Sequence, residues 1–222
     1  GFDPAQAAAP NYVLPYGAIL NGRYIVGKML GQGGFGITYV GWDIALERKV
    51  AIKEYYPMST GMVSRENSTT VVWSSAVMQK SGMEKGFDSF LKEARKMAKL
   101  GGIPGVVGVK SVFIQNETAY IVMDFVEGET LKARLEKTGP LPWEQAKGIF
   151  LPAIQAMEQV HQAGLVHRDI SPDNLMLTPG GKVKILDLGA AKDLSVNNGA
   201  SSMQVAKGGF SPFEQYTQRG SS

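Results

Sequence analysis

Cysteine is absent from the 222 residues of this sequence, which excludes disulfide bonds and thiolate metal sites. No apolar run approaches the roughly 20 residues that a membrane-spanning helix needs, and the N-terminus has no secretory signal pattern. The net charge of +3 is too small and too dispersed to indicate nucleic-acid binding. We therefore expect a cytoplasmic protein that binds neither membranes nor nucleic acids.

The remaining composition is that of a globular protein with a sizeable core, since 44% of the residues are hydrophobic and 19% are charged. The length allows one large domain or two lobes around a cleft. Residues 1–20, rich in alanine, proline and glycine, are predicted to be a loosely ordered lead-in. A sheet lobe is expected over 21–125, with an inserted loop at about 55–86, and a mainly helical part over 126–222.

The stretch from His167 to Asn174 has the character of a rigid functional loop. Pro172 forbids a regular helix there, because proline lacks the backbone N–H and restricts the residue before it. Within this loop, Asp169 provides a carboxylate and Asn174 an amide. A second carboxylate, Asp187, ends the apolar strand predicted at 183–186. Two acids and an amide at neighbouring strand ends could hold a magnesium ion and a hydroxyl group.

Glycines at 31, 33, 34 and 36 are predicted to form a turn between strands at 24–30 and 37–43. Such a turn lets backbone N–H groups approach phosphate oxygens, although glycines in a hairpin turn also occur for structural reasons alone. A dinucleotide-binding fold would need a helix after the last glycine. The β-branched and aromatic residues at 37–40 predict a strand instead, so that reading fails.

A third strand is predicted over Lys49–Glu54, and its alternation places Ala51 and Lys53 on one face. The helical period over 87–100 places Glu93 on the same stripe as apolar residues. A carboxylate facing the core is costly unless it is paired. We predict that Lys53 is its partner; the alternative is a glutamate at the edge of the stripe that reaches solvent.

The other predicted elements are strands at 110–115 and 118–124 and helices at about 130–137 and 143–163. Pro152 lies inside the longer helix and is a possible cause of a kink. Trp73 is interpreted as a packing anchor of the inserted loop, and His161 as a structural or exposed histidine.

Taken in order, these motifs resemble those of the bacterial serine/threonine kinases of the eukaryotic-like protein kinase superfamily. The resemblance runs from about Asn21 to Tyr216. It implies an α+β, two-lobed kinase fold, with an antiparallel sheet and one helix in the first lobe and an incomplete, mainly helical second lobe. It also implies ATP and Mg²⁺ as cofactors and a protein, or the kinase itself, as substrate.

The resemblance also implies a role for each matching residue. Asp169 would be the catalytic base, Lys53 held by Glu93 would contact the phosphates, and Asn174 and Asp187 would bind magnesium. The adenine would lie between Ala51 and Met176, and Glu129 would reach the ribose. The full set of expected nucleotide-binding residues is Leu30, Gly31, Gln32, Gly33, Gly34, Phe35, Gly36, Thr38, Ala51, Lys53, Asp124, Val126, Glu129 and Met176.

Three substitutions depart from the family pattern. Thr38 stands where the family usually has a valine against the adenine, and Ser171 stands where a catalytic-loop lysine is usual. Lys207 occupies the place of a threonine that normally lies close to that lysine. We hypothesise an exchange in which Lys207 supplies the ammonium group and Ser171 the hydroxyl; the alternative is that Lys207 is a solvent-exposed residue of the activation segment.

The family fold continues beyond the segment that ends near Tyr216, so we expect either a truncated kinase domain or a naturally short product. The long helix at 143–163 should then expose apolar surface, and a homodimer or a segment swap would cover it. Three functions stay open: a protein serine/threonine kinase, a nucleotide-binding pseudokinase or regulatory fragment, and a small-molecule phosphotransferase.

Overall fold

A computed structural model of the chain describes residues 10–33, 36–58, 63–66, 68–74, 82–166, 170–186 and 192–193. The chain divides into two compact units. The first comprises Gly1–Ala94 and Val109–Phe125, and the second comprises Arg95–Gly108 and Val126–Ser222. The predicted α+β class, with an antiparallel sheet followed by a mainly helical part, is confirmed.

The first unit is built on a six-stranded antiparallel sheet with the strand order β1-β2-β3-β4-β8-β7. Its strands are β1 (Ile19–Leu20), β2 (Tyr24–Gly33), β3 (Gly36–Asp43), β4 (Arg48–Tyr55), β7 (Val109–Gln115) and β8 (Thr118–Asp124), and a separate hairpin pairs β5 (Val63–Ser64) with β6 (Val72–Trp73). Helix α1 (Gly82–Lys99) begins in this unit and ends in the second.

The faces of β4 follow the predicted alternation. Val50 and Ile52 are buried in the core, whereas Ala51 and Lys53 are half-buried on the opposite face. Glu54 falls on the core side and is fully buried. Because successive side chains of a strand point to opposite faces, the same pattern that orients Lys53 forces a carboxylate into the core.

The expectation of a loosely ordered lead-in over 1–20 is wrong for residues 10–20. Leu14 and Leu20 are buried, and β1 pairs with the first residues of β2. The ring of Tyr12 stacks on that of Tyr56, with 6.2 Å between the centroids. The alanine- and proline-rich composition concealed a few apolar anchors that pack against the sheet.

Asp43 organises the turn between β3 and β4. Its carboxylate accepts two hydrogen bonds from Arg23, at 2.7 and 2.8 Å, and two more from the backbone N–H groups of Ala45 and Leu46, at 3.1 and 3.3 Å. The hydrogen bond from Arg23 is the main reason that the pKa of Asp43 lies below its ordinary value.

The inserted loop contains a short hairpin, formed by β5 and β6. Its second strand places Trp73 in the core, 7% exposed, and Val72 on the outer side, 60% exposed. The Trp73 ring stacks on that of Tyr55, and its indole N–H donates to the carbonyl of Glu117 at 2.8 Å. The interpretation of Trp73 as a packing anchor is confirmed.

The second unit contains two helices and two small sheets within the part of the chain that the structure describes. One sheet has the order β12-β11-β9 and the other pairs β10 with β13. The elements are β9 (Glu129–Thr130), α2 (Leu131–Thr138), α3 (Trp143–Gln162), β10 (Leu165–Val166), a 3-10 turn (Pro172–Asn174), β11 (Leu175–Leu177), β12 (Val183–Ile185) and β13 (Lys192–Asp193). Thr130 begins α2 as its N-cap, since its hydroxyl accepts from the backbone N–H of Ala133 at 3.1 Å.

Helix α3 continues through Pro152 and buries a stripe of small residues at Ala153, Ala156 and Val160. As predicted, its other side exposes apolar surface; the exposed residues are Trp143 (74%), Phe150 (43%), Leu151 (49%) and Ile154 (61%). His161 is exposed. Among the described helices, none combines the length and the apolar character needed to cross a bilayer.

Candidate functional site

The ion pair predicted between Lys53 and Glu93 is present. The Lys53 Nζ lies 2.7 Å from the Glu93 Oε1, and the two side chains are only 18% and 14% exposed. Lys53 comes from β4 and Glu93 from α1, both in the first unit. The ring of Phe90, one turn before Glu93, lies 5.9 Å from the lysine nitrogen. The pair is therefore partly shielded from water. An ion pair in such a place is stronger than one on an open surface.

The strand register places Lys53 in a row with the glycine-rich hairpin. Lys53 is opposite Thr38 on β3, and Thr38 is opposite Gly31 on β2. Thr38 is half-buried like Lys53, so both belong to the half-open face of the sheet. This face therefore carries an ammonium group on β4 and a glycine backbone on β2, with Thr38 of β3 between them.

The glycine-rich segment is more regular than predicted. Gly31, Gln32 and Gly33 are strand residues that pair with residues 38, 37 and 36 of β3. Gly34 and Phe35, the other residues of the expected turn, lie outside the described residues. The predicted end of the strand at Leu30 is wrong because ladder pairing continues through the glycines.

These glycines differ in how much space a side chain would have at each position. A Cβ at Gly36 would lie 2.2 Å from the carbonyl oxygen of Glu54, so the close approach of β3 and β4 requires glycine there. A Cβ at Gly31 or Gly33 would meet no atom within 4 Å. Packing therefore does not demand glycine at 31 and 33, and the space beside their backbone suits a ligand that approaches closely.

Ala51 and Asp124, two expected nucleotide-binding residues of the first unit, lie on the paired strands β4 and β8. Ala51 pairs with Met123 on β8, and Asp124 is the last residue of that strand. The Asp124 carboxylate lies 3.1 Å from the Nζ of Lys110 and 4.0 Å from a guanidinium nitrogen of Arg48. These contacts involve its side chain. Nucleotide binding by Asp124 stays a prediction, as does the contact expected from Leu30, which is 47% exposed.

In the second unit, Met176 and Glu129 lie on adjacent strands of the small sheet. Met176 on β11 is opposite Thr130, next to Glu129 on β9. The Glu129 carboxylate accepts hydrogen bonds from Lys137 at 2.8 Å and Arg134 at 2.6 Å, and these cations hold its pKa below the ordinary value. A ribose hydroxyl would therefore have to share this carboxylate with two cations. Val126, also of this unit, is half-buried.

The predicted catalytic loop is described in part. Ser171 is buried, at 2% exposure, and it begins the 3-10 turn in which its carbonyl accepts from the N–H of Asn174 at 3.0 Å. The carbonyl of Asn174 accepts from the N–H of Leu186 at 2.9 Å. Asn174 is thus joined by its backbone to the residue that precedes Asp187. Asp169, Asp187 and Lys207 lie outside the described residues.

Among the described residues no group of three histidine, cysteine, aspartate or glutamate side chains could hold a metal ion. That search does not include Asp169 or Asp187. The metal-binding roles of Asn174 and Asp187 therefore stay predictions.

A buried polar network next to the candidate site was missed from the sequence. Glu54 forms an ion pair with Arg65 of the inserted segment, and both side chains are fully buried. The same carboxylate accepts hydrogen bonds from the hydroxyls of Tyr39, at 2.9 Å, and Tyr120, at 3.0 Å. Burial, and then the charge of Glu54, raise the pKa of both tyrosines, so they stay protonated donors.

This network also ties the N-terminal segment to the sheet. Arg65 donates to the carbonyl of Tyr12 at 3.2 Å, and the Tyr39 hydroxyl accepts from the N–H of Leu14 at 3.1 Å. The alternation of β4 would have identified Glu54 as a buried carboxylate in need of a partner. Nothing in the loop sequence identified Arg65 as that partner.

The family model of the protein kinase domain matches residues 24–212. The chain belongs to the protein kinase family. The resemblance to protein kinases that the sequence motifs indicated is therefore confirmed.

The relatives of this kinase-family chain include several bacterial proteins named as serine/threonine kinases. A probable serine/threonine-protein kinase of Clostridium perfringens is 34% identical over 181 residues, which cover 80% of this chain and 23% of that protein. Serine/threonine-protein kinase F of Synechocystis is 31% identical over 213 residues, covering 89% of this chain and 40% of that protein. The probable serine/threonine-protein kinase PknB of Lactococcus lactis is 34% identical over 184 residues, covering 82% and 26%. The chain thus spans well under half the length of these relatives.

Proposed function

We propose that this kinase-family chain transfers the γ-phosphoryl group of ATP, with Mg²⁺, to serine or threonine hydroxyls of proteins, itself included. The observation that carries the proposal is the 2.7 Å pair between Lys53 and Glu93 on the half-open face of the glycine-hairpin sheet. Protein kinases in general use ATP and Mg²⁺, and the relatives described above are named as serine/threonine kinases.

Each unit contributes residues that suit this chemistry. In the first, the ammonium group of Lys53, oriented by Glu93, would bind phosphate oxygens, and the open backbone at Gly31 and Gly33 would approach them. A side chain at either glycine would obstruct that approach. An ammonium group that is already held in place stabilises the transition state more than a mobile one, because no reorganisation is needed at the moment of reaction.

In the second unit, Asn174 is the described residue proposed to hold the metal ion, which would neutralise charge on the phosphates. Its place is fixed by the 3-10 turn and by the hydrogen bond from Leu186. An amide oxygen is a ligand that magnesium accepts. Asp187 is proposed as the second ligand and Asp169 as the group that accepts the proton of the substrate hydroxyl.

Two measurements on the same chain test the proposal. The first is the thermal stabilisation of the protein by ATP with Mg²⁺, and the second is transfer of label from γ-labelled ATP to the chain and to a generic basic protein. Stabilisation followed by transfer to a protein supports the proposal. Stabilisation without transfer supports a nucleotide-binding regulatory fragment, and transfer only to a sugar or an amine supports a small-molecule phosphotransferase.

A further inference from the structure

We infer that Trp73, on the inserted hairpin of β5 and β6, is a positioning residue for the pair of Lys53 and Glu93. The inference rests on the proposed function, since it concerns how that pair is held ready for the phosphates. Trp73 would act through the packing of α1, without touching the nucleotide.

The Trp73 side chain is held by two aromatic contacts and one hydrogen bond. Its ring stacks on Tyr55, with 6.1 Å between centroids and 24° between planes, and lies tilted against Phe87 of α1 at 5.8 Å. Its N–H donates to the carbonyl of Glu117, in the turn between β7 and β8. One side chain therefore links that turn, the end of β4 and the first half of α1.

Tyr55 transmits this contact to the ion pair. It ends β4, two positions after Lys53, and its ring lies 5.5 Å from that of Phe87 and 5.4 Å from that of Phe90. Phe90 is one helical turn before Glu93 and is 4% exposed. The rings of Tyr55, Trp73, Phe87 and Phe90 (the aromatic cluster) thus set where the Glu93 turn of α1 meets β4.

A glycine in α1 shows how closely the helix approaches this cluster. A Cβ at Gly86 would lie 1.9 Å from the hydroxyl oxygen of Tyr55. The helix can lie at this distance because residue 86 has no side chain, and a closer or more distant helix would change the reach of Glu93 toward Lys53.

The hairpin that bears Trp73 is itself firmly attached to the sheet. The N–H of Val71 donates to the carbonyl of Asn116 at 2.9 Å, and Arg65, earlier in the same segment, pairs with the buried Glu54. The hairpin therefore has its own anchors beside the contact with α1. Removing the Trp73 ring would remove its contact with Phe87 of α1 while those anchors remain.

The test compares Trp73→Leu with Val72→Ala, a matched control at the adjacent, outward-facing position of β6. The affinity for ATP with Mg²⁺ is measured for each variant with Glu93 intact and with Glu93→Gln. With Glu93 intact, Trp73→Leu should weaken binding by about tenfold, a size typical of coupled neighbouring residues. In the Glu93→Gln background it should have less than about a twofold effect, because no carboxylate remains to be positioned.

Hydrogen exchange of the backbone amides at 86–93, without nucleotide, supplies a second readout. Trp73→Leu should accelerate exchange there, and Val72→Ala should not. Trp73→Phe, which keeps a ring and loses only the N–H, should lie between wild type and Trp73→Leu, and it replaces the leucine variant if that variant does not fold.

Equal losses of affinity in both backgrounds would overturn the inference, because Trp73 would then act without Glu93. Unchanged exchange at 86–93 in Trp73→Leu would overturn it as well. If wild-type protein does not bind ATP, the proposed function fails, and the exchange measurement alone decides whether Trp73 positions α1.

Discussion

Replacing Arg65 with methionine should strongly destabilise the first unit. The substitution removes the cation paired with Glu54 but keeps an unbranched apolar side chain in the same space. Both side chains of the pair are 0% exposed, so water cannot reach the carboxylate left behind. Breaking a buried ion pair by removing one partner costs about 3–5 kcal/mol.

The tyrosines of the network favour the lower end of that range. Tyr39 and Tyr120 still donate to the Glu54 carboxylate, at 2.9 and 3.0 Å, after the arginine is gone. We therefore expect a loss of about 3 kcal/mol in the free energy of unfolding, or about 6–12 °C in Tm for a chain of this size. Urea unfolding followed by circular dichroism measures the loss directly.

Arg48→Met is the matched control for this experiment. Arg48 is on the same sheet, but its side chain is 42% exposed and its guanidinium is 4.0 Å from the Asp124 carboxylate, so its loss should cost less than about 1 kcal/mol. Equal effects of Arg65→Met and Arg48→Met would refute the reasoning. In a double-mutant cycle of Arg65→Met and Glu54→Gln, the two losses of unfolding free energy should be non-additive by about 0.5–3 kcal/mol. Strict additivity would mean that the two residues are not paired in solution.

Three further predictions concern the candidate site and the acid stability of the sheet. Glu93→Gln should lower kcat/KM by about tenfold, because the neutral amide holds the Lys53 ammonium with roughly 1–2 kcal/mol less than the carboxylate does; steady-state phosphorylation assays check this, and unchanged kinetics would contradict it. Asp43→Asn should make the stability of the protein less sensitive to acid pH. Arg23 lowers the pKa of Asp43 in the folded state, so the Asp43 carboxylate stabilises the fold at pH values above its unfolded-state pKa. This stabilisation is lost as the pH falls through the folded-state pKa. Urea unfolding from pH 7 to about pH 3 measures this, and a wild-type-minus-variant difference that does not shrink with falling pH would be the contrary result. Lys207→Ala should lower turnover far more than ATP affinity if Lys207 supplies the ammonium missing at Ser171, and turnover like that of wild type would dismiss the exchange.

The sequence could predict those parts of the site in which apolar residues repeat with the period of a strand or a helix. Alternation along β4 oriented Lys53, and the helical stripe of α1 placed Glu93 toward the core, where a carboxylate needs a partner. The helical pattern alone also allowed a Glu93 side chain that reaches solvent. The 2.7 Å contact decides between the two alternatives.

The parts that sequence could not predict lie in the inserted segment. Arg65 and Trp73 stand among serine and glycine residues without a period, so no local pattern says which strand or helix they contact. Their partners, Glu54 and Glu117, lie 11 and 44 residues away along the chain and are brought near by the fold. The glycine hairpin shows the opposite error: turn-forming composition suggested an open loop, but ladder hydrogen bonds extend β2 through Gly33.

The most direct test of the central claim is phosphoryl transfer by wild-type protein beside Asp169→Asn and Lys53→Met. With γ-labelled ATP and Mg²⁺, wild type should label serine or threonine, and Asp169→Asn should lose about 10²–10⁴-fold in rate, the usual contribution of an acid–base group. Asp169→Asn should still be stabilised by ATP with Mg²⁺, whereas Lys53→Met should be stabilised less. Transfer by Asp169→Asn at the wild-type rate, or ATP binding by wild type with no transfer at all, would contradict the account.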